Sequence, residues 1–485
     1  MPQQHAFIDE SRKQWSSEPA FIASMAAAAV GLGNLWRFPY MVGENGGGAF
    51  ILAYLLALVV VVLPIMILEV AAGRLSEGNT VHTFRQVNRF GAVYGWFVVL
   101  ITLVITSYYL VITGWTLGYA VDAARGELRL FDEFSAGYNS LWYFIAVSVL
   151  AGMVLMRGIG GIELLSKLMM PVLLLVIIGL VVAASQTDGW QPSKEFFLTV
   201  EWGRLADGRL WAFAFGQAFY TLAIGQGYLI TYGSFIPRKT HVPRACLIVA
   251  GTETSVALLA GWMIFPFVFS FGMAPNEGSQ LAFMTLPRVF GEMSGGAYLA
   301  LLFFGLFFLA AFSSTLAGLK VVIAAVAEEF RLGNTVAVLL VIGLMLLLGS
   351  ASALSFTPME WSIGGEPVLD VLDRVAGGPG LIHLVEQAAA GQAKGLAGVQ
   401  FRDQVVIVGI EILGHLAGRG RLAAGCPSPG HPEGGVQRHL AACQLLLGTE
   451  TGRHRPQQHR DIEHLVVEGE VPHRHQVESG LTLGR

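Results

Sequence analysis

Four residues in the stretch AAAAVGLGNLWRFPY (residues 26–40) are out of place in an apolar run: Gly31, Gly33, Asn34 and Arg37. The glycines loosen a helix, and the asparagine and arginine are expensive in hydrocarbon. A helix broken at this point frees backbone groups for chemistry. Its amide end can receive an anion, and its unwound carbonyls can receive a hard cation. A second run, FAFGQAFYTLAIGQGYLITYGSF, has the same character, with Gly216, Gly225 and Gly227 interleaved with Gln217, Thr221 and Gln226. Non-helical backbone is tolerated at membrane depth only where protein or a cavity satisfies it. A lone glycine would mean only close helix packing. Two clustered breaks with polar neighbours point instead to a binding site. Glu253, in GTETSVALLAG, adds a carboxylate deep in an apolar run, where it is costly unless paired. The pair Ser313–Ser314 adds two hydroxyls, although serines in such helices often bond back to their own backbone.

The elements that must hold these groups are helices in a bilayer. The chain has 485 residues, 54% of them apolar and only 13% charged, against about 25% charged in soluble domains. Nine apolar segments approach the roughly 20 residues needed to span: 19–42, 48–72, 92–122, 141–156, 164–185, 211–236, 244–272, 297–327 and 335–354. The two breaks fall in the first and sixth, which an internal five-helix repeat would make equivalent. Lys and Arg concentrate in the segments that share a side with the N-terminus, including Arg12, Lys13, Arg74, Arg85, Arg89 and Lys167. The positive-inside bias therefore places the N-terminus in the cytoplasm. The N-terminal residues lack the apolar core of a signal peptide.

Composition changes after residue 377. Residues 378–485 contain no stretch of spanning length and hold nine of the twelve histidines, scattered without metal-ligand spacing. We read them as an atypical non-membrane tail, consistent with a shifted reading frame. The division is then 1–18 as an N-terminal latch, 19–377 as the membrane domain and 378–485 as the tail. Cys246, Cys426 and Cys443 fit no disulfide or metal framework. A net charge of −4 without a basic tract gives no sign of nucleic-acid binding. GLGNLW is not a dinucleotide loop, because Trp36 stands where the third glycine belongs and no βαβ unit surrounds it. No HExxH motif or pair of intramembrane aspartates suggests an enzyme.

AVGLGNLWRFPY…ENGGGAF resembles the first-helix signature of the neurotransmitter:sodium symporters, in their bacterial amino-acid transporter branch. SYYLVITGWTLGY, GQAFYTLAIGQG and AAFSSTLAG match further motifs. The resemblance implies an all-α membrane protein of inverted five-helix repeats with broken first and sixth helices, and sodium-driven symport of an amino acid. The family continues after LDRVAG through a tenth span that completes the second repeat, and the sequence here departs from that pattern. Two alternatives to symport are a non-transporting amino-acid sensor and an inactive, truncated or frameshifted transporter.

Carried over by position, the resemblance implies two sodium sites. One uses the Ala29 carbonyl with Asn34, Thr221 and Glu253, completed by the substrate carboxylate. The other uses carbonyls of Ala27, Val30 and Ala310 with the hydroxyls of Ser313 and Ser314. A fixed carboxylate at Glu253 resembles the chloride-independent members. The substrate carboxylate would meet the amides of Gly31 and Leu32 and the Tyr109 hydroxyl, and its amino group the carbonyls near Ala29, Tyr220 and Thr221. Ile105, Tyr220, Ala223, Gln226, Ser314 and Gly318 would line the side-chain pocket. Ala28 stands where amine carriers have an acid, which favours a zwitterion. Gly318 and Ala223 are small and predict room for a bulky neutral side chain. Arg37 would face Asp373 at an outer gate, and Arg12, Trp15 and Glu328 would form the inner one. Lys320 stands where relatives carry Glu or Gln.

Overall fold

The computed structural model describes residues 14–377 except 88, 238, 274–282, 284 and 294. Arg12 and the whole tail 378–485 lie outside the described residues.

The first span is two helices. α1 (Glu18–Ala29) starts at Ser17, whose side chain accepts the Ala20 amide, with Pro19 in the first turn. It stops at Val30, which is extended. α2 (Gly33–Glu44) resumes at 53° to α1 and opens with a π-helical turn over Gly33–Arg37, just ahead of Pro39. Proline cannot donate to the ladder, and the wider turn accommodates that. α3 (Gly48–Ser76) repeats the device, with a π turn at Leu58–Val62 before Pro64.

A short helix α4 (Thr80–Arg85) leads into α5 (Gly91–Ala124), followed by α6 (Asn139–Leu155) and α7 (Ile159–Ala184). The sixth span is also split. α8 (Gly208–Thr221) ends in a turn over 222–227, and α9 (Tyr228–Gly233) continues beyond it. That turn needs positive φ at Ala223 (51°), Gly225 (77°) and Gly227 (75°). Two of the three are glycine, the residue that adopts this conformation without steric cost. α10 (Val242–Ser270), α11 (Gly296–Glu329) and α12 (Asn334–Leu354) complete the long helices. Each of the nine expected spans falls on one of these helices or broken pairs, and α6, at 17 residues, is the short fourth.

α5 and α11 make the most extensive helix pair and run through the centre of the bundle. Their side chains are buried around most of the circumference, as a central helix requires. α7 is different: Leu164, Leu168, Leu175, Ile178 and Val182 stay exposed along one face. An apolar face without a protein partner suits contact with lipid chains. α3 and α9 lie unusually close, because a Cβ at Gly73 would stand 2.0 Å from the Ile230 carbonyl and one at Gly233 2.4 Å from the Val70 carbonyl. Beyond α12, a two-residue hairpin (Ser362–Ile363 with Glu366–Pro367) precedes a short helix, Val368–Leu372.

Candidate functional site

The break in the first span sits against α10, α8, α5 and α11, and polar side chains from each meet there. Asn34, fully buried, is the hub. Its Oδ1 accepts the Gly31 amide at 3.1 Å, and its Nδ2 donates to Glu253 Oε1 at 2.6 Å. The Tyr54 hydroxyl stands 3.5 Å from both Glu253 oxygens and 3.4 Å from Thr221 Oγ1. Thr254 Oγ1 donates to Glu253 Oε2 at 3.1 Å. The expected trio Asn34, Thr221 and Glu253 is therefore one cluster of hard oxygens around a paired carboxylate. Such donors suit a small hard cation. Tyr54 and Thr254 join it without having been expected. Ala29, the fourth expected contributor, is the last residue of α1, where the helical ladder stops.

One turn away, Ser314 Oγ bonds across to α1, donating to the Ala28 carbonyl at 2.9 Å and lying 3.3 Å from the Val30 carbonyl. Ser313 instead bonds back to Ala310 in its own helix at 2.9 Å. The serine pair thus divides: one hydroxyl reaches the break, and the other satisfies the local carbonyl. Ala27 and Ala310 are buried beside them.

The Leu32 amide donates to the Tyr109 hydroxyl at 3.0 Å. A Cβ at Gly31 would stand 2.5 Å from Ser314 Oγ and 2.9 Å from the Tyr109 oxygen. Gly31, Leu32, Tyr109 and Ser314 are thus brought together at the amide end. Gln217 Nε2 donates to the Gly33 carbonyl at 3.0 Å, so the two broken spans are tied to each other. Glu69 performs the same service for the sixth span, accepting the Gly225 amide at 2.9 Å. It carries the signal that singled out Glu253, a carboxylate inside an apolar run, and could have been found that way.

Two expectations need correction. Gly318 does not open a large space: a Cβ there would lie 2.4 Å from Thr106 Oγ1 and 2.6 Å from the Tyr228 hydroxyl. Residues from α5 and α9 fill the gap that the missing side chain leaves. Nor do Arg37 and Asp373 pair within 4.0 Å. The Arg37 guanidinium donates to Gln217 Oε1 at 3.2 Å and lies 4.4 Å over the Tyr220 ring, while Asp373 accepts the Tyr108 hydroxyl at 2.8 Å. Ile105, Ala223 and Gln226 lie on the helix and turn that flank the break, largely shielded from solvent.

At the opposite end, Trp15 is buried against α9. Its indole donates to the Tyr232 carbonyl at 3.1 Å, its amide to the Phe235 carbonyl at 3.0 Å, and its ring lies 5.2 Å from that of Tyr232. Ser16 follows it onto Glu163, bonding through its hydroxyl and, at 2.9 Å, through its amide. Lys320 stands 5.1 Å from the Phe235 ring. Glu328 accepts the Asn79 amide at 2.8 Å and its side chain at 3.0 Å. These contacts close the same end of the bundle.

The chain matches the family model described as the sodium:neurotransmitter symporter family over residues 12–140 and 125–400. It is 31% identical over 395 residues to an uncharacterized sodium-dependent transporter of Haemophilus influenzae, covering 76% of this chain and 86% of the relative. It is 34% identical over 333 residues to the uncharacterized sodium-dependent transporter YhdH of Bacillus subtilis, covering 65% and 72%. Its fold is similar to the crystal structure of MhsT in complex with L-phenylalanine, with a TM-score of 0.70 and 31% identity over 84% of this chain and all of that one. These matches establish that the chain belongs to the sodium:neurotransmitter symporter family.

Proposed function

We propose that this chain couples the uptake of a neutral zwitterionic amino acid to sodium by alternating access. One observation carries the reading: Asn34 bonds at once to the Gly31 amide and to Glu253. A single side chain thus joins the end that would receive a substrate carboxylate to the cluster that would receive sodium. A carboxylate bound at Gly31 and Leu32 would add one more oxygen to that cluster, so each ligand raises the affinity for the other. The amino-acid complex of the similar MhsT supports the substrate class. Ala28 offers no counter-charge for a monoamine.

The cluster at Asn34, Thr221 and Glu253, with the Ala29 carbonyl, would hold one sodium ion. The carbonyls of Ala27, Val30 and Ala310 with Ser313 and Ser314 would hold a second. Glu253 supplies a fixed negative charge, so chloride is not required. The protein lies in the plasma membrane with its N-terminus in the cytoplasm. Trp15 and Glu328 then close the inner side, and Arg37, Tyr220 and Asp373 guard the outer one. The test is equilibrium binding of radiolabelled amino acids with sodium or potassium present. Binding that needs sodium, and that the matching decarboxylated amines do not compete, is the expected result. Competition by the amines would overturn the zwitterion assignment.

A further inference from the structure

The inner end of the bundle holds a buried charge that the sites above do not use. Lys320 lies on the central helix α11 and is 7% exposed. It stands seven residues beyond Ser313, two turns or about 10.5 Å toward the Glu328 end. An ammonium group is expensive to bury, so a lysine here contributes through what its charge touches. Its Nζ stands 5.1 Å over the centroid of the Phe235 ring. Phe235 is itself buried and follows the last residue of α9 by two positions. A cation within about 6 Å of an aromatic face is attracted by the ring quadrupole, and more strongly where water is excluded. The contact therefore ties α11 to the end of α9.

Phe235 also carries the N-terminal segment. Its carbonyl accepts the Trp15 amide at 3.0 Å. The Trp15 indole donates three residues earlier, to the Tyr232 carbonyl at 3.1 Å, and its ring lies 5.2 Å from the Tyr232 ring. Both carbonyls that hold Trp15 thus belong to residues 232–235, and Phe235 lies beyond the last helical residue, Gly233. A ring anchored from α11 fixes the carbonyl that the latch needs.

We propose that Lys320 is a positioning residue of the inner latch: its ammonium, seated on the Phe235 ring, holds in place the carbonyl that receives Trp15. This rests on the reading of Trp15 as the inner closure and extends it to α11. The contact needs a positive charge on one side and an electron-rich ring on the other. Arginine keeps the charge, and methionine, of similar length, removes it. Fluorine on the ring draws electron density from the face and leaves the ring in place.

The test is hydrogen exchange of the full chain at residues 14–17 and 232–236. Lys320→Met should speed exchange there by roughly tenfold, and Lys320→Arg should leave it near the unmodified rate. Replacing Phe235 with mono-, di- and trifluorophenylalanine should speed it stepwise, which a ring that only fills space would not do. Added to Trp15→Ala, Lys320→Met should change little. If Lys320→Met fails to fold, the fluorinated series in the otherwise unmodified chain decides. Exchange unmoved by Lys320→Met, or rates that ignore fluorination, would overturn the assignment while leaving the latch intact. Exchange that also ignores Trp15→Ala would overturn the latch and the assignment together.

Discussion

Asn34 donates its side-chain amide to Glu253 at 2.6 Å, from the break in the first span to the middle of α10. Both residues are fully buried, and the carboxylate gathers Tyr54 and Thr254 as well. The carboxylate, held by several donors, stands beside the oxygens that a cation would use. Removing it takes the 2.6 Å acceptor from the Asn34 amide, which keeps only the Glu253 backbone carbonyl at 3.4 Å, and leaves the Tyr54 hydroxyl with Thr221 Oγ1 alone.

Glu253→Ala should therefore weaken sodium-dependent binding by about 2 kcal/mol, roughly thirtyfold. In the unmodified protein, replacing chloride with gluconate should leave uptake unchanged. Isothermal titration of sodium against both proteins checks the first outcome, and ion-substituted uptake checks the second. A strong chloride requirement would remove the role given to the Glu253 charge.

Asp373 is held by the Tyr108 hydroxyl, while Arg37 rests on Gln217 and the Tyr220 ring. Arg37 and Asp373, proposed above as the outer gate, thus have separate partners that would have to be released before the two could meet. Tyr108→Phe frees Asp373 for Arg37 and should slow substrate dissociation by severalfold. The double variant Tyr108→Phe with Arg37→Ala should lose that slowing. Stopped-flow chase of bound substrate measures both, and an identical effect in the presence and absence of Arg37 would show that Tyr108 acts elsewhere.

Trp15 fixes the N-terminal segment on α9 through two hydrogen bonds and its ring. Trp15→Ala should cost about 3–5 kcal/mol of packing and raise hydrogen exchange over residues 232–236. Trp15→Phe keeps an aromatic ring but loses the indole donor, so its effect should be smaller. A protein whose exchange at these residues is unmoved by Trp15→Ala would have no latch here.

The breaks were legible because glycine, asparagine and arginine in an apolar run contradict their surroundings locally. Glu253 was legible for the same reason, and Glu69 shared the signal. Tyr54, Tyr108 and Glu163 were not, because a tyrosine or a helix-end glutamate is unremarkable until its partner, distant in sequence, arrives beside it. Gly318 misled for a related reason. A missing side chain suggests space, but whether that space stays open depends on Thr106 and Tyr228, which other helices deliver. Trp15 was legible by motif, whereas its partners on α9 emerged only from the packing.

Uptake into proteoliposomes reads out sodium coupling through the cluster at Asn34, Thr221 and Glu253. Radiolabelled neutral amino acids are presented with an inward sodium gradient, then with sodium replaced by potassium, and then with the gradient collapsed by a sodium ionophore. Accumulation above the external concentration in the first condition alone is the predicted result. Accumulation that persists without sodium, or that survives collapse of the gradient, would contradict it.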